Sequence, residues 1–358
     1  MYTQLTTFAN LHSAFLKAAK GKRGHPNVAA FEYRLEDNLF QLQHELQHQS
    51  YQPGGYVSFS IDEPKHRVIS AAPFRDRVAH HALCNLIEPI FERSFISNSY
   101  ANRVGKGTHR ALDRCQQYAR RYRYFLLCDV RQFFPAIDHA ILRETLWRKV
   151  TDPAVRWLMD QILASGAPVL RHEYEMVWFP GDDLLAAARQ RGLPIGNLTS
   201  QFWANCYLNP FDHFVHRELS CAAYLRFVDD LLLFSDNKRQ LWAWQTAIET
   251  RLARLRLTIH PRTQPHAVSK GIPFLGFRVF PERRRLKGYN AVHFRRHLQC
   301  QITAYTDGAI SLAELTASIQ GWVNHARYGN TLGLRKATLT NQVIPPVKLV
   351  EYPAPERV

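Results

Sequence analysis

Tyr224-Leu225-Arg226-Phe227-Val228-Asp229-Asp230-Leu231-Leu232-Leu233-Phe234 is the stretch whose reading decides the fold. Two adjacent carboxylates sit between two short apolar runs made of residues that favour strands. The pattern predicts a β-hairpin with Asp-Asp at its turn. The apolar flanks place those acids in a cleft. Two neighbouring carboxylates repel each other unless a divalent cation neutralises them. A bare Asp-Asp is usually a solvated turn; the hydrophobic strand on each side makes this one different.

Working outward, a third carboxylate is expected upstream. Arg123-Tyr124-Phe125-Leu126-Leu127-Cys128-Asp129-Val130 reads as an apolar strand ending in Asp129. Arg131-Gln132-Phe133-Phe134-Pro135-Ala136-Ile137-Asp138-His139 then turns into a helix capped by Asp138. Alone, Asp129 would read as a turn cap. With Asp229 and Asp230 it makes three acids from two strands, which can hold two Mg²⁺ ions. Such a pair activates an attacking 3′-hydroxyl and stabilises a leaving pyrophosphate.

These motifs, in this order, resemble the reverse transcriptases. Phe227-Val228-Asp229-Asp230 matches the Tyr-x-Asp-Asp box with Phe for Tyr, and Asp129 matches the first catalytic Asp. Arg67-Val68-Ile69 and Phe74-Arg75-Asp76-Arg77-Val78 are similar to the fingers motif that contacts the incoming triphosphate. Ser99-Tyr100-Ala101-Asn102-Arg103-Val104-Gly105-Lys106-Gly107-Thr108 resembles the loop before the palm, and Gly271-Ile272-Pro273-Phe274-Leu275-Gly276-Phe277 the strand that ends it. The resemblance runs from about Lys65 to Gly276. It implies an α+β right-hand polymerase with fingers, a palm with an antiparallel sheet and a helical thumb. It also implies metal ligation by Asp129, Asp229, Asp230 and the Val130 carbonyl.

Composition agrees with a polyanionic partner. The chain has 358 residues, a net charge of +16 and a pI near 9.8. Residues 277–336 carry +7, against +9 on the other 298, and phosphate backbone accounts for such a concentration. No apolar stretch is long enough to span a bilayer, and the first residues do not open a signal peptide. Six cysteines without a Cys-x-x-Cys pair read as reduced, mostly buried thiols of a cytoplasmic protein. His80, His81 and His109 read as packing or helix-surface residues.

The expected organisation is an N-terminal helical extension over 1–50, fingers and palm over 51–276, a thumb over 277–343 and an extended tail over 344–358. Leu35, Leu39, Leu42 and Leu46 predict one amphipathic helix over 29–48. Residues 56–70 read as two strands, and 76–92 as a helix with Val78, Ala82, Leu86 and Ile90 inward. Helix is expected over 138–165 with a break at Asp152-Pro153, a hairpin over 168–180, and an insertion of open form over 182–191. Ser311-x-x-Glu314 is a capping box for a helix in the thumb.

What the resemblance implies about substrate falls on a few residues. Lys65 and Arg67 would close on the triphosphate. Phe134, five residues after Asp129, would pack against the sugar and exclude a 2′-hydroxyl; adjacent side chains on an extended segment face opposite ways, so one of Phe133 and Phe134 can be core, and Phe134 is the favoured gate. Ile195, Gly196 and Gln201 belong to the next nucleotide segment, Gly192-Leu193-Pro194-Ile195-Gly196-Asn197-Leu198-Thr199-Ser200-Gln201. Most reverse transcriptases have Pro-Gln-Gly here, and Ile195 cannot make the hydrogen bond of that Gln to the sugar. Arg75, Arg103, Lys106, Arg283, Arg284, Arg285, Arg295 and Arg296 are the expected nucleic-acid contacts.

The Ile-Gly-Asn-Leu-Thr-Ser-Gln form resembles the enzymes of diversity-generating retroelements. Those copy a template RNA with errors at adenines and work with a small basic oligomeric accessory protein. The implied partners are template RNA, the RNA/cDNA duplex, dNTPs and that accessory protein. The alternatives are a defence-associated or intron-derived bacterial reverse transcriptase, or an idle RNA-binding protein on the same scaffold.

Overall fold

The computed structural model describes residues 1–61, 67–340 and 342–346. Lys65 and residues 347–358 of the expected tail lie outside them. Among the described residues, no helix is long and apolar enough to cross a membrane. All six cysteines are free thiols, with Cys300 exposed and the others buried.

The chain opens with helices α1 (Tyr2–Leu5), α2 (Phe8–Ala19), α3 (Pro26–Tyr33) and α4 (Leu35–Gln47). The single helix expected over 29–48 is thus two. Arg34 leaves the helical region at φ −121° and ψ 48°. Glu36 and Asp37 in the first turn of α4 suit the positive end of a new helix. Strands β1 (Val57–Ile61) and β2 (Arg67–Ala71) pair antiparallel, with Val57 opposite Ala71. Next comes α5 (Phe74–Glu92), whose buried stripe is Val78, Ala82, Leu83, Ile87 and Phe91, leaving Leu86 and Ile90 half-buried.

Beyond it lie α6 (Thr108–Arg121), β3 (Tyr124–Asp129), α7 (Phe133–Ala136), α8 (His139–Trp147) and α9 (Pro153–Gly166). Asp138 and Asp152 cap α8 and α9, each accepting two backbone N–H groups. No strand forms over 168–180, contrary to the hairpin expected there. The alternating side chains are used singly instead: the Arg191 guanidinium lies 4.5 Å from the Tyr174 ring centroid and 3.1 Å from the Met176 sulfur. Within 182–191, Leu184–Ala188 forms a 3₁₀ turn, and Asp182 pairs with Arg256.

The remaining elements are α10 (Leu198–Arg217), β4 (Tyr224–Phe227), β5 (Asp230–Ser235), α11 (Lys238–Arg254), β6 (His266–Ala267), β7 (Ile272–Phe274), β8 (Phe277–Val279), β9 (Arg284–Leu286), α12 (Gly288–Thr306), α13 (Leu312–Ala326) and α14 (Leu332–Leu339). Two compact units result. The first comprises Met1–Gly107, Leu126–Leu233 and Lys238–Pro265. In it α5 packs against α2 and α10, and β4 pairs antiparallel with β5, which lies next to β3.

The second unit comprises Thr108–Phe125, Phe234–Asn237 and the described residues from His266 onward. Its sheet runs β7-β8-β9, and Leu275 and Gly276 close the first hairpin with φ 45° and 84°. Two positive φ angles give the turn whose twist matches its strands. The capping box of Ser311 and Glu314 forms in full, and α12 and α13 enclose Phe294, Leu298, Ile302 and Leu315.

His80 on α5 is buried, and burial holds its pKa down at about 3; His81 beside it is held at about 4. The unfolded chain takes up these protons below about pH 6.5 while the folded one does not. Stability is therefore full above that pH and falls on acidification, by about 2 kcal/mol for His80 between pH 7 and 5. Urea midpoints at both pH values should show His80→Leu losing that much less than the wild type. Equal losses would mean that His80 is charged in the folded protein.

Candidate active site

The hairpin of β4 and β5 is built as its sequence demands. Phe227 stands opposite Asp230, so Val228 and Asp229 form a two-residue loop. Val228 takes φ 55°, a left-handed conformation that a β-branched residue rarely adopts. Such a residue costs about 1–3 kcal/mol and persists only where its surroundings impose it.

Hydrogen bonds bring β3 to this turn. The His260 N–H donates to the Asp129 carbonyl at 2.9 Å, and the Arg131 N–H to the Thr258 carbonyl at 2.8 Å. Between them the Val130 N–H turns the other way and donates to the Asp229 carbonyl at 3.3 Å. An extended residue presents its C=O on the same edge as its N–H, so the Val130 carbonyl also faces the turn. Asp129, Asp229 and Asp230 are all half-buried. It is the backbones of these positions that meet: among the described residues, no three His, Cys, Asp or Glu side chains are gathered to hold an ion. The donors offered here are all oxygens, which suit a hard cation such as Mg²⁺ rather than zinc.

Beneath the turn lies a buried ionic cluster. Arg226 and Asp212 of α10 are both wholly inaccessible. Arg226 Nε and Nη2 donate to the Asp212 carboxylate, both at 2.8 Å in their shorter contacts. Nη1 donates to Asn205 Oδ1 at 3.0 Å and to the Val228 carbonyl at 3.1 Å. The Tyr224 hydroxyl donates to the same carboxylate at 2.8 Å. Burial works against the Arg226 charge, but Asp212 outweighs it and holds its pKa above the usual value. Sequence reasoning passed over this cluster. Its signal was an arginine inside an apolar strand, since a charge so placed requires a partner.

The segments expected to contact the nucleotide are also stitched together. Gln132 at φ 46° turns the chain into α7, where Phe133 is buried and Phe134 half-buried. The Leu193 N–H donates to the Phe134 carbonyl at 3.0 Å, which ties Phe134 to the segment holding Ile195. The Ser70 N–H of β2 donates to the Ile195 carbonyl at 2.8 Å. Asn197 accepts from the Ala72 N–H and donates to the Ser70 carbonyl. Gly196 between them has φ 117°, and a Cβ there would stand 3.0 Å from Ile69 Cγ2, so glycine is required. Gln201 is half-buried in the first turns of α10, and Arg67 is exposed at the start of β2.

Of the expected nucleic-acid contacts, several cations are engaged within the fold. Arg75 pairs with Glu45 and lies over the Tyr51 ring. Arg103 is 6% exposed, clamped by Glu92 and by the Ile96 and Ser99 carbonyls. Arg284 is buried against Asp113 and Gln116. Lys106 donates to the Ser97 carbonyl. The sequence shows each charge but not the partner that folding brings to it. Arg283, Arg285, Arg295 and Arg296 are exposed, the first two flanking the Phe280 ring. His44-Glu45-Leu46-Gln47-His48 has the His-Glu-x-x-His spacing of a zinc site, which the sequence reading missed. Here Glu45 is bound to Arg75, and His48 Nδ1 contacts the His44 carbonyl.

A mixed helical and antiparallel fold with a carboxylate-tipped hairpin beside a carboxylate-ended strand defines a class: the right-hand nucleic-acid polymerases. The family model described as reverse transcriptase (RNA-dependent DNA polymerase) matches residues 61–279, and the chain belongs to that family. It is an RNA-directed DNA polymerase, and such enzymes use divalent metal ions. Among curated proteins it is similar to Protein YkfC of Escherichia coli, 26% identical over 303 residues, spanning 72% of this chain and 75% of that one. It is also 26% identical to the group II intron-encoded protein LtrA of Lactococcus lactis over 151 residues, 42% of this chain and 23% of LtrA. Nuclear intron maturase 1 of Arabidopsis thaliana is 30% identical over 90 residues, 25% of this chain and 13% of the maturase. The chain thus spans less than a quarter of each intron protein. Among solved structures, apo telomerase from Candida tropicalis matches with a TM-score of 0.46 and 12% identity, covering 64% of this chain and 48% of telomerase.

Proposed function

We propose that this chain copies a template RNA into cDNA as the error-prone polymerase of a diversity-generating retroelement. The observation that carries the polymerase site is the hydrogen bond from the Val130 N–H to the Asp229 carbonyl, which sets the end of β3 beside the Asp229-Asp230 turn. Asp129, Asp229, Asp230 and the Val130 carbonyl are the groups that would hold two Mg²⁺ ions. When bound, the ions would lower the pKa of the primer hydroxyl and neutralise the departing pyrophosphate. Arg67 steadies the triphosphate, and Phe134 closes the space a 2′-hydroxyl would need. Residues 51–276 act as fingers and palm and 277–343 as thumb, with Arg283, Arg285, Arg295 and Arg296 on the duplex phosphates. Template RNA, dNTPs and a small basic oligomeric protein are the partners, in the cytoplasm.

Ile195 supports the retroelement reading. Its carbonyl is spent on Ser70, and its side chain offers no donor to the nucleotide sugar. One restraint on the nascent pair is thereby missing, worth about 0.5–1.5 kcal/mol. Ile195→Gln should therefore lower misincorporation by about two- to tenfold, most of all opposite template adenine. The check is product sequencing on one RNA template, wild type against mutant. Matching error spectra would remove Ile195 from the mechanism. A wild type as accurate at adenine as elsewhere would instead favour an intron-derived enzyme, the reading to which the likeness to LtrA points.

A further inference from the structure

We infer that Arg226 is a positioning residue that holds the Val228 turn in its strained conformation and so sets where Asp229 and Asp230 stand. The inference rests on the palm reading of those two carboxylates and adds a residue to it.

Five residues are bonded to Arg226. Its guanidinium is fixed by Asp212 and by Asn205, both on α10. Its Nη1 caps the Val228 carbonyl, two residues along its own strand. Its backbone N–H donates to the Asn98 carbonyl at 2.9 Å, and its carbonyl accepts from the Tyr100 N–H at 3.0 Å. Asn205 Nδ2 binds the Ala101 carbonyl at 3.0 Å, closing the ring of contacts on the same loop. The loop over 98–101 thus holds the Arg226 backbone, α10 holds its guanidinium, and the guanidinium holds the turn.

Among the described residues Val228 is the one β-branched side chain at positive φ; the corresponding position of the β7–β8 turn holds Leu275, unbranched at Cβ, followed by Gly276. At position 228 a valine sits at φ 55°. Left to itself, a β-branched residue relaxes towards negative φ. Relaxation would swing the peptide that follows, which carries Asp229. A guanidinium bonded to the Val228 carbonyl opposes that rotation. Lysine keeps the charge but lacks the fork that serves a carboxylate and a carbonyl together.

The test compares wild type, Arg226→Lys, Val228→Gly, the double variant and Asp229→Asn. The readouts are kcat and KM in primer extension, Mn²⁺ binding followed by electron paramagnetic resonance without nucleic acid, and the melting temperature. Arg226→Lys should lower kcat and weaken Mn²⁺ binding, each by about tenfold, with KM for primer–template unchanged. Glycine carries no penalty at this φ, so in the Val228→Gly background the same change should cost about threefold at most. Wild-type kcat and Mn²⁺ binding in Arg226→Lys would overturn the inference, and so would equal losses in both backgrounds. Should Arg226→Lys not fold, Asn205→Ala removes the acceptor that helps aim Nη1 while leaving the Asp212 pair, and must show the same rescue by Val228→Gly. An active Asp229→Asn would overturn the palm reading itself; an inactive one beside an unaffected Arg226→Lys would overturn only the role of Arg226.

Discussion

Asp229→Asn should reduce primer extension by about a thousandfold or more while leaving the fold unchanged. The substitution keeps the volume of the side chain and removes one of the charges meant for the metal ions. Losing several kcal/mol of transition-state stabilisation corresponds to a loss of that order. The fold should survive because the contact of Asp229 with β3 is made by its backbone: the carbonyl that accepts from the Val130 N–H is untouched. Asp229 is half-buried and Asn has nearly its shape, so the change opens no cavity. Extension rate and melting temperature, measured on one preparation, separate the two effects. Near-normal extension with a normal melt would displace the catalytic centre from this turn.

Phe134→Ala should admit ribonucleotides, raising their incorporation relative to dNTPs by about ten- to a hundredfold. The neighbouring rings divide the work. Phe133 is 3% exposed and belongs to the core, whereas Phe134 is half-buried and meets Phe133 edge-on at 5.5 Å between centroids. Removing the Phe134 ring opens space on the exposed side without opening the core. Leu193 still bonds the residue-134 carbonyl, because that contact is main chain. Competition between rCTP and dCTP on one template is the measurement. An unchanged ratio with normal dNTP use would make Phe134 a packing residue and pass the sugar contact to another side chain.

Features written within one short segment were legible in the sequence. Asp138 and the Ser311–Glu314 box announce helix starts because a cap and its N–H partners lie two or three residues apart, and the break at Asp152-Pro153 is where Asp152 caps the next helix. The hairpin at Phe227-Val228-Asp229-Asp230 was legible because apolar strands flank it on both sides. What depends on distant partners was not. Arg75, Arg103 and Arg284 find their acids 30, 11 and 171 residues away, so charge alone did not show the ion pairs they make within the fold. Period-two alternation over 168–180 suggested a hairpin, yet Arg191 claims both Tyr174 and Met176, and no ladder forms. Phe134 and Ile195 were named separately; the Leu193 N–H that joins their segments is a tertiary bond with no local signature.

The way Ile195 is held bears on how this enzyme could change over generations. Position 195 contributes to the scaffold through its carbonyl, bonded to Ser70, while the tight turn is delegated to Gly196 and the cross-links to Asn197. Every amino acid carries that carbonyl. A lineage could therefore try different side chains at this one codon, and so different copying accuracies, without first repairing the fold.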